Sequence, residues 1–253
     1  MNTFKKALLE KQRQVGFWLS IPSPYTAEIC AGAAFDWLLI DGEHAPNDIF
    51  SVLSQLQAIA AYHPHPVVRP VNADPDLLKQ LMDIGVQSFL IPMVETEMQA
   101  KNIVQAVRYP PQGKRGIGHM LARAARWGRD TSYFEDWAHN ACVIVQIETE
   151  QALENIEAIA AVDGVDALFI GPADLAASLG HPGNFDHPTV AGAIENALTR
   201  IAASGKAAGT ITVGAKPALA LFDKGYSFIA AGVDTILLSR GTDELARELS
   251  VDN

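Results

Sequence analysis

Apolar residues come in short dense runs, set apart by stretches with helical spacing. The runs are Val15–Ser20, Trp37–Glu43, Pro66–Pro70, Ser88–Val94, Cys142–Glu148, Ala167–Asp174, Ala207–Val213 and Ser227–Val233. Near-continuous Val, Ile, Leu and Phe over so few residues predicts parallel strands covered on both faces. Between them, Asp48–Ala61, Pro75–Ile84, Thr96–Val107, Ala152–Ala161, Val190–Ala203 and Pro217–Lys224 show the spacing of amphipathic helices. Gly85, Pro110-Pro111, Gly205 and Gly225 supply the stops. Eight such alternations predict an α/β fold, a parallel (β/α)8 TIM barrel forming one domain over residues 1–253. An amphipathic helix within Met1–Arg13 precedes it, and Thr235–Leu249 predicts an extended closing helix. The alternative is a doubly wound open sheet, but no Gly-x-Gly-x-x-Gly turn follows the first strand.

One connection is too long for this scheme. Pro110 to Ala141 carries Arg123, Arg126 and Arg129, then Tyr133, Phe134 and Trp137. Loops beyond about 12–15 residues in a compact domain are usually functional. This one is expected to leave the fourth strand on the active face, as a lid or a subunit contact.

Composition narrows the partners. With 49% hydrophobic and 19% charged residues in 253, the chain can build a large core. A net charge of −10 leaves no basic stripe for nucleic acid and does not suit an anionic membrane surface. Two cysteines, Cys30 and Cys142, fall in predicted apolar positions and make no disulfide framework. No apolar signal core opens the chain and no stretch nears the ~20 residues of a membrane span, so a cytoplasmic location is expected.

Candidate chemistry gathers where the strands end. Glu148 closes one apolar run and Asp174 another. A carboxylate in such a place is costly unless a partner meets it, and a hard divalent cation is the usual one. The competing reading makes each an N-cap or first-turn acid of the following helix. The second strand ends Asp41-Gly42-Glu43-His44, and an Asp three residues before a His can hold one imidazole nitrogen and leave the other to move a proton. Arg69 ends the third strand, where its charge must be answered by an anion or a developing negative oxygen. Gln146, two residues before Glu148, points to the same side. In Gly171-Pro172-Ala173-Asp174, the amides of Ala173 and Asp174 are free at a helix start and offer a seat for a carboxylate. A metal and an anion seat side by side describe a site for a 2-oxo acid.

Four segments carry a family resemblance. Trp37-Leu-Leu-Ile-Asp-Gly-Glu-His-Ala-Pro46, Arg108-Tyr-Pro-Pro-Gln-Gly-Lys-Arg-Gly-Ile-Gly118, Val145-Gln-Ile-Glu-Thr149 and Phe169-Ile-Gly-Pro-Ala-Asp-Leu175 resemble the metal-dependent class II pyruvate aldolases of the HpcH/HpaI type. More narrowly they are similar to the 4-hydroxy-2-oxoheptanedioate aldolases of aromatic hydrocarbon catabolism, and the likeness runs in order along nearly the whole chain. The resemblance implies a hexameric barrel lyase that cleaves 4-hydroxy-2-oxo acids to pyruvate and an aldehyde with Mg, Mn or Co. It implies that Glu148 and Asp174 bind the metal, Arg69 steadies the enolate oxygen, and His44 with Asp41 manages the 4-hydroxyl proton. It further implies that Gln146 orients pyruvate, Trp18 lines the pocket and Asp83 reaches a neighbouring subunit's site. His119 and Ala125 stand where the family pattern has serines, which leaves the acceptor aldehyde open.

Rival chemistries remain on the same fold. Schiff-base cleavage needs a lysine at a strand's C-terminal end. Lys206 precedes its strand, and Lys79, Lys101, Lys216 and Lys224 fall in predicted helices. A citrate-lyase β-subunit-like or phosphoenolpyruvate/pyruvate-type lyase would use the same metal on another carbon skeleton. A non-catalytic barrel that senses a metal–oxo-acid complex would have no use for a proton carrier such as His44.

Overall fold

The computed structural model describes residues 2–249; Met1 and residues 250–253, the ends of the expected 1–253 span, lie outside the described residues. From the N-terminus the elements are α1 (Thr3–Leu9), β1 (Gln14–Leu19), α2 (Pro24–Ala31), β2 (Trp37–Asp41), α3 (Ile49–Ile59) and β3 (His65–Arg69). Next come α4 (Pro75–Asp83), β4 (Ser88–Ile91), α5 (Glu97–Val107), a 3₁₀ turn (Arg123–Ala125), α6 (Tyr133–Asn140) and β5 (Cys142–Ile147). Then follow α7 (Glu150–Glu154), α8 (Ile156–Ala160), β6 (Ala167–Ile170), α9 (Pro172–Ser178) and α10 (Pro188–Ala203). The chain closes with β7 (Ala207–Ile211), α11 (Ala215–Lys224), β8 (Phe228–Val233) and α12 (Asp234–Leu249).

The strands pair in parallel and in chain order, and β8 returns to β1 to shut the barrel. The predicted (β/α)8 fold is therefore the observed one. Strand period sorts the side chains between two cores. One alternate set, including Trp37, Leu39, Val67, Leu90, Ile144, Phe169 and Phe228, fills the barrel interior. The other, including Leu38, Ile40, Val68, Phe89, Ile91, Val143, Val145 and Leu168, packs outward among residues of the helices. The inward series continue to their C-terminal ends as Trp37, Leu39, Asp41 and as His65, Val67, Arg69. A third reads Cys142, Ile144, Gln146 and then Glu148, one residue past β5. Polar residues thus take over from apolar ones along the same inward rows.

The opposite end is plugged. Phe4 of α1 packs on Trp37, His65 and Phe228 with ring centroids 5.6, 5.7 and 6.1 Å away. Beside it Asn2 donates to Ser88 Oγ at 2.8 Å, and His65 Nε2 lies 2.8 Å from the same oxygen. Lys5 Nζ pairs with the buried Asp166 at 3.2 Å and donates to the Ala141 carbonyl at 2.6 Å.

Two expectations change. Residues 110–141 follow α5 and lead into β5, so they lie at the N-terminal end of the barrel. They are no lid over this chain's own strand ends, because α5 has already carried the chain back before they begin. There they pack against the end of α4, with Arg123 Nη1 donating to the Ile84 carbonyl at 2.7 Å. The expected helix 152–161 is two short helices, α7 and α8, broken at Asn155. That side chain donates to the Glu95 carbonyl at 2.8 Å instead of continuing one smooth helix. The closing helix α12 carries a longer apolar stripe than covering β8 requires, and it leaves that stripe open. Leu237, Leu238, Leu245 and Leu249 are 58%, 60%, 58% and 71% exposed. Among the described residues, no helix is long and apolar enough to cross a membrane.

Candidate active site

The C-terminal ends of the strands surround a cleft of about 210 Å³, lined in part by Trp18, His44, Arg69, Gln146, Glu148 and Asp174. In parallel barrels this is the end that carries chemistry. Ala173 belongs to the same wall, and so do Phe169 and Gly171.

Register sets the first pair. Asp41 and Arg69 are direct Cα partners of β2 and β3, and both point inward. Arg69 grips Asp41 with two bonds, Nε to Oδ1 at 2.8 Å and Nη2 to Oδ2 at 2.7 Å. Its Nη1 lies 2.7 Å from Glu43 Oε2. The guanidinium sits 4.8 Å over the Trp18 ring, whose Nε1 donates to Asp41 Oδ2 at 3.2 Å. Two of the five guanidinium N–H groups are bonded to Asp41 and Nη1 is ion-paired with Glu43, so both terminal nitrogens keep N–H groups for a ligand. Burial works to raise the Asp41 carboxyl, but bonding and charge from Arg69 outweigh it and hold the group below the ordinary carboxylate range.

The expected Asp41–His44 dyad is not formed. Asp41 is drawn to Arg69 by strand register and reaches only the backbone N–H of His44, at 3.5 Å. The carboxylate nearest the imidazole is that of Glu43, 3.7 Å from Nε2. Sequence reasoning assigned Glu43 no role, although it stands between two residues that were given one.

Glu148 is 2% exposed and held from two sides. The Met93 N–H donates to Oε1 at 2.7 Å, and Gln146 Nε2 donates to Oε2 at 2.6 Å. Met93 reaches this place with φ of 56°, a left-handed backbone that a non-glycine residue adopts at a cost. Gly171 lies so close that a Cβ there would run into the Glu148 carboxylate. Burial above all pushes the Glu148 carboxyl up to about 7; the Met93 N–H opposes it, while Asp174 and Glu43 push the same way.

Asp174 stands in the first turn of α9, and its side chain is open to the cleft. It is a first-turn acid, as the competing reading had it, and it also lines the cleft. The first-turn amides of Ala173 and Asp174 have no intrahelical carbonyl to meet. Asp83 is not brought to this cleft: it ends α4 at the other end of the barrel, 2.6 Å from the buried Arg115. None of the residues lining the cleft is a lysine, and Lys206 Nζ is tied to the Val165 carbonyl at 2.6 Å.

The donor set fits a hard divalent cation. Glu148 and Asp174 offer carboxylate oxygens in a field already too negative for one of them. Gln146 Oε1 is buried beside them without a hydrogen-bond partner. Among the described residues no three His, Cys, Asp or Glu side chains gather as a complete cage. That is the pattern of an ion held by one or two carboxylates, with water and substrate oxygens in the remaining positions.

Residues 14–240 match the model of the HpcH/HpaI aldolase/citrate lyase family. The chain is 55% identical over 247 residues to a hydroxypyruvate/pyruvate aldolase of Cupriavidus necator, covering 97% of this chain and 91% of that one. It is 51% identical over 251 residues to a 4-hydroxy-2-oxo-heptane-1,7-dioate aldolase of Salmonella newport, covering 99% and 95%. The crystal structure of a family protein from Burkholderia cenocepacia superposes with a TM-score of 0.95 at 39% identity, covering 98% and 99% of the two chains.

Proposed function

The chain belongs to the HpcH/HpaI aldolase/citrate lyase family, and from that premise we propose how this carbon–carbon lyase works and on what. The reaction is reversible cleavage of a 4-hydroxy-2-oxo acid to pyruvate and an aldehyde. The observation that carries it is the opposed pair in one cleft, the carboxylates of Glu148 and Asp174 on one side and a buried arginine with spare N–H groups on the other. Glu148 and Asp174 would hold a divalent ion such as Mg, Mn or Co. When bound, that ion supplies Lewis-acid stabilisation of negative charge on the 2-oxo oxygen.

The residues of the chain do the rest. The first-turn amides of Ala173 and Asp174 seat the substrate carboxylate. Gln146 and Trp18 fix the oxo acid's orientation, and Arg69 places its free N–H groups where the enolate oxygen gains charge. His44 takes the proton of the 4-hydroxyl. The O–H electron pair becomes the aldehyde C=O, and the C3–C4 pair passes to the pyruvate fragment as its enolate. That enolate takes one proton at C3 to become pyruvate while His44 gives up the one it gained, so the proton count closes. Asp41 keeps Arg69 in place. For the reverse addition each proton and electron pair retraces its path.

Assembly belongs to the same proposal. The open leucines of α12 support a homo-oligomer, for which the family resemblance implies a hexamer. In that assembly Asp83, kept in position by Arg115, would serve a neighbouring subunit's site. Two unpaired cysteines suit a cytoplasmic enzyme. Truncation from Thr242 onward should lower both particle mass in light scattering and activity; an active full-length monomer would refute the shared-site picture alone.

The test of function is pyruvate release, measured after metal reconstitution over a panel of 4-hydroxy-2-oxo acids with citrate-type substrates alongside. Metal-dependent release from the hydroxy-oxo acids is expected. Turnover of the citrate-type compounds alone would replace the aldolase reading with the lyase one.

A further inference from the structure

Glu43 has a position that no single-contact account explains. Its carboxylate bridges the two functional cations-in-waiting of the cleft: Arg69 Nη1 at 2.7 Å and His44 Nε2 at 3.7 Å. The first is a direct ion pair, the second ion-pair range without a direct hydrogen bond. The Glu43 amide donates to Asp41 Oδ1 at 3.0 Å, and Asp41 in turn is clamped by Arg69, so the turn after β2 is fixed at its root. The Glu43 side chain is 15% exposed, whereas that of His44 is 65% exposed.

We propose that Glu43 is a positioning residue for the proton transfer, holding the His44 ring by one nitrogen and stabilising the imidazolium that forms when the 4-hydroxyl gives up its proton. The inference rests on the aldolase reading above and replaces Asp41 by Glu43 as the acid behind His44. The physical reason is charge accounting. Asp41 makes two bonds to Arg69 and is fully engaged, whereas Glu43 meets Arg69 through one oxygen alone. When His44 gains a proton, Glu43 is the nearest carboxylate, ahead of Asp41, Asp174 and Glu148, which face the same space. A carboxylate beside one imidazole nitrogen fixes the tautomer and leaves the other nitrogen to work. The bridge also links the residue that meets the enolate charge to the residue that carries the proton, so that the two are held in one frame.

The test is a double-mutant cycle on kcat for aldol cleavage, with metal-loaded enzyme. Glu43→Gln keeps an oxygen for Arg69 but removes the negative charge. It should lower kcat about 10–100-fold, the loss typical when a group that orients another is removed. KM and the calorimetric affinity for pyruvate should change by less than about threefold. In a His44→Ala background the same substitution should cost less than about threefold, because its route to the substrate is gone. Glu43→Asp, which withdraws the carboxylate by one methylene but keeps its charge, should fall between Gln and wild type, and it serves if the Gln variant does not fold. Equal kcat for Glu43→Gln and wild type would overturn the proposal, and so would an undiminished loss on the His44→Ala background. Wild-type kcat retained by His44→Ala would overturn it together with the role of His44. Absence of pyruvate release from wild-type enzyme would overturn the aldolase reading itself, and that outcome is seen before any variant is made.

Discussion

Two buried carboxylates at opposite ends of the barrel face the same electrostatic problem and are treated differently. Asp166, at the plugged end, is raised by burial, but Lys5 stands 3.2 Å away and the Val143 N–H donates to it at 2.9 Å. Glu148, at the open end, is raised by burial too, and Asp174 and Glu43 push it further against a smaller opposing pull from Arg69. The fold sets a cation in direct contact with Asp166 and none against Glu148, where the proposed metal would supply it. An uncompensated charge in a low-dielectric site is a stored affinity for the missing partner.

The largest expected effect breaks the open end. Glu148→Ala or Asp174→Ala should abolish metal binding in calorimetry and pyruvate release together, since two carboxylates leave neither to spare. Thermal stability of the metal-free protein should hold or rise for Glu148→Ala, because a buried, uncompensated group has gone. Full activity in either variant with the metal stripped would end the proposed mechanism.

His44→Ala comes next, with an expected loss of about 10²–10⁴-fold in cleavage, the usual cost of removing a general base. Pyruvate affinity should change far less, because pyruvate has no 4-hydroxyl. Wild-type cleavage in this variant would assign the proton to another group.

At the plugged end the effect should be on folding instead. Lys5→Met leaves Asp166 buried and unpaired, a change costing about 3 kcal/mol. The melting temperature should fall by several degrees while KM for the aldol stays put. A shifted KM with unchanged melting temperature would erase the distinction between the two ends.

The smallest effect is a pair of opposed pH dependences. Glu148 is held near 7 in the folded chain against an ordinary 4.5, so its contribution to metal-free stability is full below 4.5 and is lost as pH rises through about 7. His65, half-buried against Phe4, is pushed by burial from 6.5 down to about 4. Its contribution is full above 6.5 and is lost as pH falls through about 4. In chelator, Glu148→Gln should therefore gain stability over wild type chiefly at pH 8. His65→Gln should close its deficit as pH falls toward 4.5. Melting curves at four or five pH values would decide both, and parallel curves for all three proteins would contradict them.

Much of this was legible in the sequence because the barrel repeats one rule. Dense apolar runs give strands, and period two carries Asp41, Arg69, Gln146 and Glu148 to the inward face. What stayed hidden depends on register and on which end a segment occupies. The Asp41–Arg69 clamp needs the alignment of β2 with β3, which no local pattern reveals. Spacing alone made His44 the natural partner of Asp41, three residues on. Residues 110–141 show their length to any reader, but not that α5 has already turned the chain away from the mouth. The leucines of α12 form a longer stripe than one closing helix needs, but spacing alone does not say how open they stand.

The left-handed turn at Met93 has a consequence for how this enzyme can be altered. The donor that orients Glu148 is a peptide N–H, placed by the path of the chain and not by any side chain. Sequence variation at residue 93 therefore leaves the donor intact, proline excepted, and glycine would even relax the turn. Yet the Met93 side chain is 48% exposed. A library at this one codon can reshape the surface beside a carboxylate proposed to hold the metal while the bond that steadies it is inherited unchanged.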